Sequence, residues 1–270
     1  MVQIALLQLN AGPDINENLK AAEGLVREAA ARGARFILTP ENTCHMISPQ
    51  TKKLETSLPE DGHAAVTMFS DLARELGVWI SVGSVAVKVS EDKIANRGYI
   101  FDDKGEVAAQ YDKIHLFDVD LPTGEKHRES NLVRPGDKIV VVPTPFGTVG
   151  MAICYDLRFA DQFRALAKAG AEILIVPSAF TVPTGEAHWE SLLRARAIEN
   201  GCFVLAAAQT GEHHGGRKTY GHSLAVSPWG AVIADGGTEV GVVMVDIDAE
   251  AVRSAREAIP SLQHDRVFGF

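Results

Sequence analysis

KIVVVPTPFGTVGMAICYDLRF, residues 138–159, decides the fold. Two apolar runs meet at Pro145-Phe146-Gly147, a hairpin signal. The second run ends on Cys154, Tyr155 and charged residues, so a buried strand delivers a thiol to a polar turn. Downstream the pattern predicts a helix over 160–169, a strand EILIVPSAF (172–180), a helix over 186–200 and a strand over 202–209. A further hairpin (221–237), a strand (242–248) and a last helix (249–258) follow. Upstream, QIALLQL (3–9) reads as a buried strand. The next helix has Leu19, Leu25, Val26, Ala29 and Ala30 on one face, capping-box spacing at Asp14 and Glu17, and a stop at Gly33. RFILTPE (35–41) is a second buried strand closed by Pro40, 63–76 a helix, 78–87 a strand, and 97–116 two strands joined at Asp103-Lys104-Gly105. No linker, low-complexity segment or repeat interrupts this order, so residues 1–270 are expected to form one domain. Helices alternating with buried strands and hairpins imply mixed sheets covered by helices. In such folds function sits at the carboxyl ends of strands, where Glu41, Cys154 and Phe180 fall.

Composition narrows the function. The chain has 270 residues, is 46% hydrophobic, and carries a formal net charge of −9. That balance argues against broad binding to nucleic acid or to anionic membranes, which needs a basic surface. The start, MVQIALLQLNAG, lacks a basic leader segment, and no apolar run reaches membrane-spanning length. Three cysteines, Cys44, Cys154 and Cys202, give no disulfide framework; a reducing cytoplasm, in which thiols stay free, is the expectation.

Three residues carry candidate chemistry. Cys154, at the end of a strand, is either a buried structural thiol or a nucleophile activated by a base or a cation. Glu41, directly after FILTP, is either a solvated loop charge or, in a dry cleft, a proton acceptor. Lys113, between QYD and IHLF, is either a surface lysine or a fixed ammonium facing an oxyanion.

LTPE, YDKIHLFD and GMAICYDLRF, in that order, resemble the three catalytic motifs of the nitrilase superfamily of carbon–nitrogen hydrolases, and the resemblance runs over essentially the whole chain. It implies a four-layer α-β-β-α sandwich of two mixed sheets. It implies Glu41 as general base, Lys113 as oxyanion stabiliser and Cys154 as nucleophile, with the Tyr155 backbone N–H as second oxyanion donor. A second glutamate, which would orient Lys113 and the substrate, falls at Glu129 in HRESNLVRPGD, with nearby Glu125 as the competing assignment. On this reading Cys154 attacks an amide carbon, Glu41 takes the thiol proton and protonates departing ammonia, and water hydrolyses the thioester, with no metal or organic cofactor.

Within the superfamily, TGEAHWE followed by LLRARAIEN, AAAQTG followed by a His- and Gly-containing loop, and YGHS before PWG resemble the Nit branch, particularly deaminated glutathione amidases. The sibling ω-amidases, acting on α-ketoglutaramate, or another short-chain amidase or carbamoylase of the superfamily, are the alternative, and a non-catalytic protein that keeps the fold is a further one. The substrate so implied is a small amide carrying carboxylates. Arg158 would contact a carboxylate, Phe180 and Thr181 would line the pocket, and Arg217 or Lys218 would reach a distal carboxylate; each also has an ordinary structural or solvated reading. His213 and His214 lack the spacing of metal ligands. His188 and Trp189 open a helix whose Trp189, Leu192 and Leu193 read as packing. The tail IPSLQHDRVFGF is expected to help build a homodimer.

Overall fold

The structure is a computed structural model that describes residues 1–48, 51–121 and 124–269. Along the chain run β1 (Val2–Gln8), α1 (Ile15–Ala31), β2 (Phe36–Leu38), α2 (Thr51–Thr56), α3 (Ala64–Leu76), β3 (Trp79–Lys88), β4 (Ile94–Phe101) and β5 (Val107–Asp112). Then come β6 (Asp118–Asp120), β7 (Lys126–Arg128), β8 (Val140–Thr144), β9 (Gly147–Met151), α4 (Ala160–Lys168), β10 (Ile173–Ile175), α5 (Val182–Asn200) and β11 (Phe203–Ala206). The chain closes with β12 (Thr210–Glu212), β13 (Lys218–Tyr220), β14 (Leu224–Val226), β15 (Val232–Asp235), β16 (Gly241–Ile247) and α6 (Glu250–Ala258).

Two six-stranded sheets result, ordered β16-β1-β2-β3-β4-β5 and β15-β14-β11-β10-β9-β8. In each, three parallel strands occupy the middle and antiparallel strands flank them. Central strands covered on both faces read as continuous apolar runs, as FIL and ILI do. α1 and α3 cover one sheet and α4 and α5 the other, which gives the four-layer sandwich. α1 turns Leu19, Ala22, Val26 and Ala29 inward, the stripe expected of a surface helix, and Asp14 caps it by accepting from the Glu17 N–H at 3.0 Å. Between the sheets, Ile4, Leu6, Phe36 and Leu38 of one share a core with Val149, Met151, Ile173 and Leu205 of the other. Phe36 stacks on Phe146 of the β8–β9 turn, with ring centroids 5.7 Å apart.

Several strands are shorter than their apolar runs. The run 35–41 is strand only over Phe36–Leu38, 172–180 only over Ile173–Ile175, and 202–209 only over Phe203–Ala206. The residues beyond are still bonded, but partly across to the other sheet. Leu9 N–H donates to Ala208 O at 3.3 Å and Thr210 N–H to Leu9 O at 2.8 Å, while Gln209 N–H donates to Ser178 O at 2.9 Å. Both sheets therefore converge at one end. Gly83 makes the approach possible: a Cβ there would lie 2.2 Å from Thr39 O and 2.4 Å from Pro177 Cβ. α5 also begins earlier than its periodicity predicts. Thr181 occupies the N-cap and Pro183 the first turn, where a missing N–H costs nothing, so the helix includes residues 182–185.

Candidate active site

Cys154 follows β9 at φ +50°, the left-handed region, which costs a non-glycine residue about 1–2 kcal/mol. Two anchors hold it. Its N–H donates to Pro177 O at 3.0 Å. Two residues on, the fully buried Asp156 gathers its neighbours. Its Oδ2 accepts from Ile153 N–H at 2.9 Å and Tyr111 O–H at 2.7 Å, and its Oδ1 accepts from His115 N–H at 2.9 Å, with His115 Nδ1 at 2.8 Å. Gln162 donates to the Tyr111 oxygen at 2.9 Å. One carboxylate thus ties the cysteine turn to the segment that leaves β5. Tyr155 is the second residue of the short turn Cys154–Arg158, so its N–H has no acceptor within the turn.

Glu41 lies past the end of β2 and is 3% exposed. The segment is braced by Thr43, whose hydroxyl donates to Pro40 O at 2.7 Å. Glu41 Oε1 accepts from Lys113 Nζ and from Asn96 Nδ2, both at 2.9 Å, and Oε2 accepts from Ala179 N–H at 3.0 Å. Lys113, 1% exposed, follows β5 and also donates to Glu129 at 2.9 and 3.2 Å. Glu129 is fixed in turn by Phe117 N–H at 2.7 Å and Asn96 Nδ2 at 3.1 Å. Cys154 lines the same cavity as Glu41 and Lys113, which are its charged neighbours. Carboxylate, ammonium and sulfur, far apart in sequence, meet here because each sits at the carboxyl end of a strand on the converging side.

Electrostatics sets the resting protonation. Burial alone would raise the Glu41 carboxyl, but the Lys113 ammonium, by charge and hydrogen bond, holds it down to about 2. Burial would lower Lys113, yet Glu129 and Glu41 hold it well above its ordinary value. Burial and the Glu41 charge push the Cys154 thiol far up, against a smaller opposing pull from Lys113. The free site therefore holds a protonated thiol beside an ionised carboxylate. Such a pair transfers its proton only as sulfur forms a bond, when the developing charge moves onto an atom that a cation can meet.

The group lies in a cavity of about 840 Å³. Arg158, Phe180 and Thr181 line it. The Arg158 guanidinium sits 5.8 Å from the Tyr155 and Phe180 ring centroids and 3.4 Å from His188 Nδ1. Phe180 in turn packs on Trp189, whose indole N–H donates to His222 O at 2.8 Å, so Trp189 is packing. Glu125 stays at the rim, 3.3 Å from His127, while Glu129 is the carboxylate that reaches Lys113. Lys218 pairs with Glu212 at 3.5 Å, whereas Arg217 enters the cavity wall and donates to Ala179 O at 2.9 Å. His213 is buried against Ala11 O and the Thr219 hydroxyl, 2.9 and 2.6 Å from its two nitrogens. Cys44 and Cys202 are buried in the cores.

Four participants escape the sequence reading. Asn96 bridges both glutamates, and its one signal is an amide in an apolar strand, where Asn is disfavoured. The Ala179 N–H leaves no mark in sequence. Asp156 stands in the quoted motif but reads only as a polar turn residue. Lys53, in the helix TKKLET, reads as a solvated charge, yet it lines the cavity and donates to Asn42 Oδ1.

Comparison with known proteins places this geometry. The family model for carbon–nitrogen hydrolase matches residues 3–257. A deaminated glutathione amidase from Yersinia enterocolitica is 42% identical over 266 residues, which are 97% of this chain and 92% of that one. The C. elegans NitFhit protein superposes with a TM-score of 0.91 at 36% identity; the alignment covers 98% of this chain but only 65% of that longer chain. A mutant amidase from Nesterenkonia sp. AN1, solved with acrylamide added to its active-site cysteine, has a TM-score of 0.81 at 27% identity, covering 96% of this chain and 98% of its own.

Proposed function

The chain belongs to the carbon–nitrogen hydrolase family, and on that premise we propose that it is a cysteine amidase cleaving deaminated glutathione to α-ketoglutarate and cysteinylglycine. The observation that carries the chemistry is the Lys113 ammonium held between Glu41 and Glu129 at 2.9 Å, beside a thiol on a left-handed turn. Cys154 Sγ attacks the amide carbon while its proton passes to Glu41. The carbonyl oxygen becomes an oxyanion between Lys113 Nζ and the Tyr155 N–H. Glu41 gives the proton to the departing nitrogen, which in this substrate is the amine of cysteinylglycine, and the C–N bond breaks to leave a thioester. Water then loses a proton to Glu41 and adds to the thioester carbon; the returned proton restores the thiol. Glu129 and Asn96 keep the ammonium in place throughout. Arg158, against the Tyr155 and Phe180 rings, is the cation for the carboxylate of the acyl half, with Phe180 and Thr181 shaping the wall. The names of the relatives support this substrate over α-ketoglutaramate.

We read residues 1–270 as one such domain, acting in the cytoplasm as a homodimer through an apolar C-terminal region in which Ile259 is 57% exposed. Among the described residues no helix is long and apolar enough to cross a membrane. The test measures α-ketoglutarate release from deaminated glutathione and from α-ketoglutaramate side by side. Higher kcat/KM on deaminated glutathione is expected; much higher kcat/KM on α-ketoglutaramate would replace this reading with an ω-amidase.

A further inference from the structure

The cavity wall carries more positive charge than the reaction uses. Lys113 is taken up by two glutamates, Arg128 pairs with Asp120 at 2.8 Å, and Lys218 pairs with Glu212. Apart from the exposed Lys126, the remaining cations among the described residues, Lys53, Arg158 and Arg217, line the same cavity with no carboxylate within salt-bridge distance. They fall into two poles. Arg158 rides on the Tyr155 and Phe180 rings, on the cysteine side. Lys53 and Arg217 flank Glu41. Lys53 donates to the side chain of Asn42, the next residue, and Arg217 donates to the carbonyl of Ala179, whose own N–H holds Glu41 Oε2. The Arg217 Nε is buried and has no acceptor.

Chemistry assigns the two sides. The acyl half of the substrate becomes bonded to Cys154, so it lies on the cysteine side. The leaving amine takes its proton from Glu41, so it lies on the Glu41 side. We propose that Lys53 and Arg217 form the receptor for an anionic group on the leaving half of the substrate, which makes them specificity-determining residues for amides whose leaving amine carries a carboxylate. This rests on the amidase reading above. It also explains how one active site separates two substrates with the same acyl half: cysteinylglycine ends in a carboxylate, whereas ammonia, the leaving group of α-ketoglutaramate, offers the pair nothing to hold. A buried guanidinium N–H without an acceptor, and an ammonium whose hydrogen bond goes to a neutral amide, are a desolvation cost in the free protein. An arriving carboxylate removes that cost by charge-assisted hydrogen bonds.

The test pairs a change in the substrate with a change in the enzyme. Deaminated glutathione is compared with its C-terminal carboxamide, which has the same acyl half and scissile bond but no leaving-side charge. The wild-type enzyme is expected to prefer the acid by at least about tenfold in kcat/KM, the size of a hydrogen bond to a charged group. Lys53→Gln and Arg217→Gln should each shrink that acid-to-amide ratio severalfold, and Lys53→Arg and Arg217→Lys should keep most of it. Because the ratio is internal to each variant, partial loss of folded enzyme cancels. A wild-type ratio near one, or a ratio unchanged in both Gln variants, overturns the receptor and leaves the amidase standing. Turnover of α-ketoglutaramate with neither glutathione derivative cleaved overturns the substrate reading, and the receptor with it.

Discussion

Asp156→Asn is the substitution whose consequences follow most directly from the geometry. The carboxylate is fully buried, and both of its oxygens face a backbone donor: Ile153 N–H at 2.9 Å on Oδ2 and His115 N–H at 2.9 Å on Oδ1. An amide has only one acceptor oxygen. Either orientation therefore turns an NH₂ toward a backbone N–H and leaves that donor buried and unsatisfied. Such a group costs about 1–3 kcal/mol, and the lost charge assistance to the Tyr111 hydroxyl adds to it, so about 2–4 kcal/mol is expected. Spread over the unfolding entropy of a chain of this length, that lowers Tm by about 4–7 °C. The turn carrying Cys154 also loses the tie that holds it to the Lys113 segment. A displacement on the order of 1 Å at a reacting atom costs about a hundredfold in rate. Well below Tm, then, Asp156→Asn should stay folded by circular dichroism and lose about ten- to a hundredfold in kcat, with KM changed far less. Unaltered Tm and kcat together would refute the idea that this carboxylate positions the thiol.

Cys154→Ala should abolish turnover, and incubation with acrylamide is expected to raise the mass of the unaltered protein but not of this variant, while the far-ultraviolet spectrum is unchanged. Lys113→Met leaves Glu41 and Glu129 buried without their cation; activity should fall at least about a hundredfold and stability by about 3–5 kcal/mol. The double variant Glu41→Gln, Lys113→Met should recover part of the Tm but none of the activity. Burial, with Arg217 adding to it, outweighs the nearby Glu41, Glu129 and Cys44 and brings the Lys53 ammonium down to about 8. Lys53 is charged below that value and neutral above it. Since kcat/KM reports the free enzyme, the acid-to-amide preference should decline as pH rises through about 8.

The sequence made the layers legible because burial on both faces and helical periodicity are local signals: FIL, ILI and the Leu19–Val26 stripe each announce themselves. Element ends were not legible where the two sheets converge, because hydrogen bonds between sheets, such as Leu9 N–H to Ala208 O, engage the end of the run CFVLAAAQ for reasons lying far away in the chain. For the site, resemblance singled out Glu41, Lys113, Cys154 and Glu129, and the fold brings these four together. It was silent on Asn96 and Lys53, whose involvement depends on which way a strand amide or a helix lysine faces. The choice of Glu129 over the competing Glu125 rested in sequence on resemblance alone. It turns on whether Phe117 N–H is there to orient the carboxylate, and that N–H faces Glu129.

The backbone at residue 154 favours a residue without a side chain. Cys154→Gly would relieve the conformational cost of that turn, on the order of 1 kcal/mol, but would also empty a packed position that is 7% exposed, so the surrounding core and not the residue itself holds the sulfur in this strained pose.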